Sequence, residues 1–251
     1  MSAVQKPVRL ALCVCLALAC DEKASPPSSP SPAASSTVSE SVKSKQPQAP
    51  SFEIDTLGPK VGFERALLDQ RDGRATLIGL LKSAENFVSG QEVSLIVDRT
   101  AKLPWVVTYL DELGKLGVKR VNVKTETRKE YATTLPFAPE LAQRSAPECS
   151  VVAMVLEDRG TAVWKLSGGV ATKHGKGMAG PDLSMTGDNI ERFAKGCKQS
   201  STLFLSAGAG VEWGLAYDLA ASAKTLAKAN FDTFVLLSET PVPGHRVTLH
   251  H

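Results

Sequence analysis

The chain has little of what usually marks a membrane-spanning or chemically active protein. Its longest uninterrupted apolar run is the ten residues Leu10–Ala19, half of the roughly 20 that cross a bilayer's hydrocarbon core. Aromatic residues make up 6% of the chain, too few for a surface on which bases stack. The formal charge is +3, falling to +1 without Lys6 and Arg9, so no basic field argues for nucleic acid. Cysteine is scarce: five residues, three of them within the first twenty, with no C-x-x-C pair or Cys/His cluster of the kind that holds zinc. The four histidines, His174, His245, His250 and His251, have no partner spacing. A nucleophile elbow is missing too. No catalytic residue, metal ligand or cofactor is therefore assigned, and the sequence points away from an enzyme.

What is present begins with an address. Residues 1–20 divide into a positive stretch (Lys6, Arg9), the apolar run, and Ala17-Leu18-Ala19-Cys20. Ten residues is the length of a signal-peptide core. The last four resemble a bacterial lipobox, with Ala17 where leucine is commoner, which makes Cys20 the expected lipidated residue, carrying acyl chains of the palmitate type. A plain secretory signal cut after Ala19 and an uncleaved anchor remain open as other readings. Asp21 resembles the signal that keeps some lipoproteins at the inner membrane. The expected location is the bacterial cell envelope, lipid-anchored and facing the periplasm. Once Cys13, Cys15 and Cys20 are set aside, Cys149 and Cys197 remain, an even number in an oxidising compartment and a candidate disulfide.

Residues 21–50 are rich in Ser and Pro and almost free of large apolar side chains. They cannot bury enough surface to offset chain entropy, and read as a disordered linker. From Ser51 the pattern is globular. Phe52–Leu57 and Val61–Leu68 read as strands around a Gly58-Pro59 turn, and Asp72–Phe87 as a helix. Val93, Leu95 and Val97 alternate as a strand. Pro104–Leu116 is a helix with Pro in its first turn and Gly117 as its stop, followed by a strand at Val118–Thr125. Glu126–Glu148 is polar and proline-bearing, a boundary. Then come strands at Val151–Leu156 and Thr161–Leu166, and a Gly-rich loop, Ser167–Gly187, holding a short strand near Val170–Thr172. A helix at Asp188–Lys198, a strand at Leu203–Leu205, a helix at Val211–Ala229 and a strand at Thr233–Leu237 complete the chain. That extra strand matters for the cysteines, because it reverses the helix that follows and brings Cys149 and Cys197 to the same end of the sheet.

An internal repeat emerges when Trp105 is aligned with Trp213. Leu95 and Val97 then fall on Leu203 and Leu205, and Tyr109 on Tyr217. Both halves read strand, loop, W-x-x-x-Y at a helix start, helix, strand. Trp and Tyr four apart share a helical face, a placement explained by packing a helix onto a sheet.

The segments Val93–Arg99 (VSLIVDR), Pro104–Gly114 (PWVVTYLDELG) and Val118–Thr125 (VKRVNVKT) resemble the periplasmic domain of the ExbD/TolR biopolymer-transport family. There a strand ending in Asp precedes a helix, a Gly-Val turn and a final strand. Ser150–Gly160 and the elements up to Glu239 resemble the same domain again. The resemblance implies an α+β fold of two similar small units, 51–130 and 147–240, each a mixed sheet covered on one face by two helices. It implies action by protein association, through sheet edges or a helix face, with envelope proteins such as an inner-membrane energy-transducing complex. The family's acidic spanning helix has no counterpart, since Leu10–Ala19 contains no acid, so proton conduction is not expected. The second copy has Ser206 in the place of Asp98. A structural lipoprotein contacting peptidoglycan is the main alternative, an envelope enzyme a lesser one. Ser206–Gly210 superficially suggests an anion cradle, but lacks the rest of a phosphate-binding motif and reads as a permissive loop.

Overall fold

In a computed structural model, strands and helices are interspersed from Phe52 to Leu236. The structure describes residues 48–249 except 144, 179 and 226–230. All of them fall within one unit, Gln46–His251. The first half runs β1 (Phe52–Asp55), β2 (Gly58–Val61), β3 (Glu64–Arg65), α1 (Gly73–Ser83), α2 (Glu85–Val88), β4 (Glu92–Val97), α3 (Leu103–Lys115) and β5 (Arg120–Lys124). After β6 (Thr134–Ala138) and a 3-10 turn at Glu140–Gln143, the second half runs β7 (Val151–Val155), β8 (Thr161–Lys165) and β9 (Thr172–His174). A small hairpin, β10 (Lys176–Gly177) with β11 (Gly180–Pro181), precedes α4 (Leu183–Lys195), β12 (Thr202–Ala207), α5 (Trp213–Thr225) and β13 (Thr233–Leu236).

The expected combination of helices with mixed sheet is present, but in place of the two separate sheets of an α+β pair of units there is one. Eleven strands hydrogen-bond in the order β3-β2-β1-β4-β5-β6-β13-β12-β7-β8-β9. The reason is β6, which lies in the stretch expected to be a boundary. It pairs antiparallel with β5 and parallel with β13, and so splices the halves. Leu135 and Phe137 alternate toward the core, but Pro136 between them hides the strand in the sequence, since proline cannot donate to a ladder. Pro136 is tolerated because β13 pairs only with Phe137 and Ala138, leaving no neighbour on that side for the missing N–H. Within each half the order has one form: a hairpin meander outward from β1 or β7, and parallel pairs inward through β4 and β5, or β12 and β13.

All the long helices bury one face of the sheet. Leu77 and Leu81 of α1, Val106 and Leu113 of α3, Ile190 of α4 and Leu219 of α5 share a core with Val93, Leu95, Val123, Val151, Val155 and Leu205. Gly117, at φ +82°, ends α3 with the left-handed turn glycine takes without strain. α4 starts five residues ahead of the expected Asp188. Asp182 caps it, its carboxylate accepting from the Met185 amide at 3.1 Å, and Gly187 in its interior had made the stretch look like loop.

The other face differs between the halves. On β4 the outward Glu92, Ser94 and Ile96 are exposed. On the second half Val152, Met154, Trp164, Phe204 and Val235 form a second buried cluster, against which Val247 and Leu249 of the C-terminal segment pack. That segment is stitched down: the Val247 amide donates to Leu166 O at 2.9 Å, the Gly169 amide to Gly244 O at 2.8 Å, and Trp164 Nε1 to His245 O at 3.0 Å.

Candidate functional site

β1 and β4 are parallel neighbours whose onward connections leave in opposite directions, to β2 and to β5. Such a switch point at the carboxyl ends of strands is where open α/β sheets form a crevice. Here an open crevice of about 700 Å³ is lined by Asp55, Ile96, Asp98, Arg99, Lys124 and Glu126, among others. Asp55 is committed to the fold. Arg65 grips both its oxygens (Nη2 to Oδ2 2.6 Å), Lys60 Nζ lies 3.0 Å away, and Leu57 N donates to Oδ1 at 2.8 Å. The Arg65 hydrogen bonds hold its carboxyl well below the usual range, against the opposing effect of burial.

Asp98 is available. Its Oδ1 accepts from Thr100 N at 2.7 Å and Thr100 Oγ1 at 2.6 Å, an Asx turn at the strand end, and Oδ2 accepts nothing from a described residue. With exposed Ile96 in the middle and Lys124 and Glu126 across the mouth, the crevice offers both signs of charge around an apolar spot. It is open to solvent rather than enclosed.

Arg99, next to Asp98, faces inward and joins the halves. Nη1 and Nη2 donate to Asp218 Oδ1 and Oδ2 of α5 at 2.9 and 2.8 Å, and Nη1 also donates to Glu126 O at 2.7 Å. Thr127 Oγ1 adds a bond to Asp218 at 2.6 Å. Asp218 is 3% exposed, so this fork-to-fork pairing supplies the partner a buried carboxylate requires. Gly214 allows it: a Cβ there would stand 2.9 Å from Arg99 O, where the Gly214 amide donates at 2.8 Å. Sequence reading did not find this pair, whose members are 119 positions apart.

On the other side of the joint, Ser238 Oγ donates to Asp111 of α3 at 3.0 and 3.1 Å, and Ser238 N to Glu140 at 2.6 Å. Burial first, and Glu140 nearby, push the Asp111 carboxyl up, with Ser238 opposing.

The disulfide expected from the sequence is present. Cys149 and Cys197 are bonded with Cα atoms 5.3 Å apart, and β9 is the strand whose presence brings them together. Cys20, the signal segment and most of the linker lie outside the described residues, as do His250 and His251. His174 Nε2 sits 2.6 Å from Asn189 Nδ2. Among the described residues no three His, Cys, Asp or Glu side chains could hold a metal ion, and no helix is long and apolar enough to cross a membrane. In the Ser206–Gly210 stretch the Gly208 amide is spent on Val155 O at 2.8 Å, so it is not free to cradle an anion.

The aromatic pair that suggested the repeat is out of register. Trp105 is the third residue of α3, Trp213 the first of α5. Tyr109 donates to Lys60 O at 3.0 Å, while Tyr217 reaches Val123 O and Ala132 O, each at 3.3 Å, in the other half. Strand lengths match instead: β4 and β12 have 6 residues each. With known protein families, curated proteins and solved structures as comparison, the chain matches none.

Proposed function

We propose that the chain is a lipid-anchored envelope binding module, made of two ExbD/TolR-like repeats fused through β6 into one sheet. It acts by association with envelope proteins, without catalysis and without conducting protons. The inner-membrane energy-transducing complexes served by that family are the partners the resemblance suggests.

The reciprocal joint between the halves supports the duplication. Lys102 and Glu212, the residues directly before α3 and α5, pair as an antiparallel bridge. The Asp98 amide donates to Ile54 O at the place where the Gly208 amide donates to Val155 O, both at 2.8 Å. α3 and α5 each carry an aspartate, at different helical positions, that accepts a hydroxyl from just beyond the other half's last strand, Thr127 to Asp218 and Ser238 to Asp111. In this register Asp98 corresponds to Gly208 rather than Ser206, so its carboxylate belongs to the first half alone.

The carrying observation for binding is the crevice around Asp98, Ile96 and Lys124, on the half whose outer face is left to solvent. The sheet edges are poorer sites for adding a partner's strand: β3 has 2 residues and β9 has 3, the short edges that discourage such pairing.

Crosslinking the full chain in cells tests this reading. Adducts to envelope proteins are expected, and they should diminish when Cys20→Ala removes the acyl anchor on which stable membrane attachment depends. Absence of protein adducts, with the chain sedimenting on peptidoglycan instead, would replace it with a structural role at the cell wall.

A further inference from the structure

In the register that sets Asp98 against Gly208, Ile96 corresponds to Ser206. Its cross-strand neighbours are Glu53 and Lys124. They correspond to Met154, which pairs with Ser206, and to Leu237, one residue past the Leu205–Leu236 pair. These two rows hold the same place on the outer face of the sheet, and only one of them is covered. Ile96 is 50% exposed, whereas Ser206 is 3%, Met154 4% and Leu237 4%.

The difference lies in where the chain goes after the last parallel strand of each half. Past β13 it crosses the outer face. Thr240 Oγ1 donates to Ala207 O at 3.3 Å, and Val247 and Leu249 pack on the cluster that holds Met154 and Leu237. Past β5 it doubles back into β6 instead, the Thr125 amide donating to Thr133 O at 3.1 Å. The place taken by residues 240–249 in the second half thus corresponds to the crevice of about 700 Å³ in the first. The fold itself displays what suits this face: a short non-helical stretch of chain laid across the strands.

Charge specifies the occupant in the first half. Across the row the side chains read negative, apolar, positive: Glu53, Ile96, Lys124. Asp98, further along β4, adds a second carboxylate with one oxygen open. Lys124 is exposed and pairs with no described carboxylate. Glu53 shares Lys60 with Asp55, at 3.4 Å against 3.0 Å. Glu126, past the row, is near enough to Arg99 to favour its charge. Neighbouring strands lie about 4.8 Å apart and same-facing residues of an extended segment about 7 Å, so three alternate residues cover the row.

Resting on the binding-module reading and deepening it, we propose that this face receives an extended segment of an envelope partner, much as residues 240–249 cover the second half. One aliphatic side chain of the segment sits on Ile96. An acidic residue on one side of it pairs with Lys124, and a basic residue on the other pairs with Asp98 and Glu53.

The test uses the full chain in lipid nanodiscs and a fluorescent peptide with glutamate, valine and lysine at alternate positions and threonine between them. Two further peptides carry glutamate at both charged positions or lysine at both, and empty nanodiscs serve as blank. Saturable binding of the mixed peptide is expected, at least about tenfold tighter than either of the others. Ile96→Asp should weaken it about tenfold or more. Lys124→Glu should reverse the preference, so that the two-lysine peptide binds best, whereas Lys82→Glu on α1 should change nothing. Ile96 and Lys124 are exposed, so both variants keep their core, and a reversed preference is not an effect that misfolding produces. No saturable binding, equal binding of the three peptides, or a mixed peptide still preferred by Lys124→Glu would overturn the proposal. Binding that falls as copies per nanodisc rise would overturn it by assigning the face to a second copy. Binding that strengthens with Lys43→Glu and Lys45→Glu would overturn it by assigning the face to the chain's own linker. Failure of the peptide with adducts in cells retained sinks the extended-segment occupant alone. Absence of the adducts themselves sinks the binding-module reading.

Discussion

The two halves share one strand order and one helical face, yet treat the opposite face of the sheet in contrary ways. In the first half that face is Glu92, Ser94, Ile96, Asn122 and Lys124, open to solvent along β4 and β5. In the second half it is Val152, Met154, Trp164 and Phe204, sealed by Val247 and Leu249. One backbone plan thus carries two patterns: clean alternation where water wets one side, and near-continuous burial where both sides are covered. The second half is thus covered on both faces of its sheet and the first on one. Arg99 with Asp218 and Asp111 with Ser238 join the two.

If that division is right, the largest effect comes from the sealed face. Trp164→Ala should cost about 3–5 kcal/mol, the usual range for deleting a buried tryptophan. Asn122→Ala on the open face should stay within about 0.5 kcal/mol. Equilibrium denaturant unfolding of the two variants checks the contrast, and similar losses at both positions would break it.

Next is the joint. Arg99→Met leaves the buried Asp218 carboxylate with Thr127 as its remaining side-chain donor. Stranding one member of a buried pair costs about 3–5 kcal/mol. Because a third of the Arg99 side chain is exposed, water offsets part of this, and about 2–3 kcal/mol is expected. Hydrogen exchange should show the loss in both halves at once, since the pair spans them.

Somewhat smaller is the lid. Truncation after Pro243 removes the half-buried Val247 and Leu249 and should cost about 2 kcal/mol, roughly one fully buried aliphatic side chain. It should also make the second half bind an apolar dye that the intact chain excludes.

Much of this contrast was legible in the sequence and some of it was not. Val93, Leu95 and Val97 alternate, and Val151–Val155 run unbroken, so the open and the sealed character of β4 and β7 could be read directly. Pro104 and Gly117 marked the ends of α3, and the cysteine count pointed to the bridge. β6 was hidden because Pro136 sits inside a strand that only a particular register permits. The tail's role was hidden because Val247 and Leu249 gain meaning only from Trp164, more than eighty positions away. Arg99 and Asp218 are ordinary surface-type residues until β4 and α5 meet. The crevice at Asp98 depends on a strand order that periodicity cannot give.

The smallest stability effect is a matter of pH. Burial raises the Asp111 carboxyl in the folded state, so its contribution to stability is full below the unfolded value, about 3.9. That contribution is lost as pH rises through the folded value. Asp111→Asn, which can still accept from Ser238, should flatten the dependence above about pH 4 and leave the protein equal or more stable at neutral pH by under about 1 kcal/mol. Asp55, lowered by Arg65, acts in the opposite sense: its contribution is lost only as pH falls below about 3.9, so the two windows separate in a pH series of thermal melts.

The division of labour between the faces is tested most directly by placing one photo-crosslinking residue at Ile96, on the open face, and another at Thr248, on the segment that seals the second half. Both positions are exposed, so reactivity alone does not separate them. In cells expressing the full chain, illumination should yield a discrete adduct with an envelope protein from position 96 and none from position 248. Adducts from 248 alone, or the same adducts from both, would contradict the account.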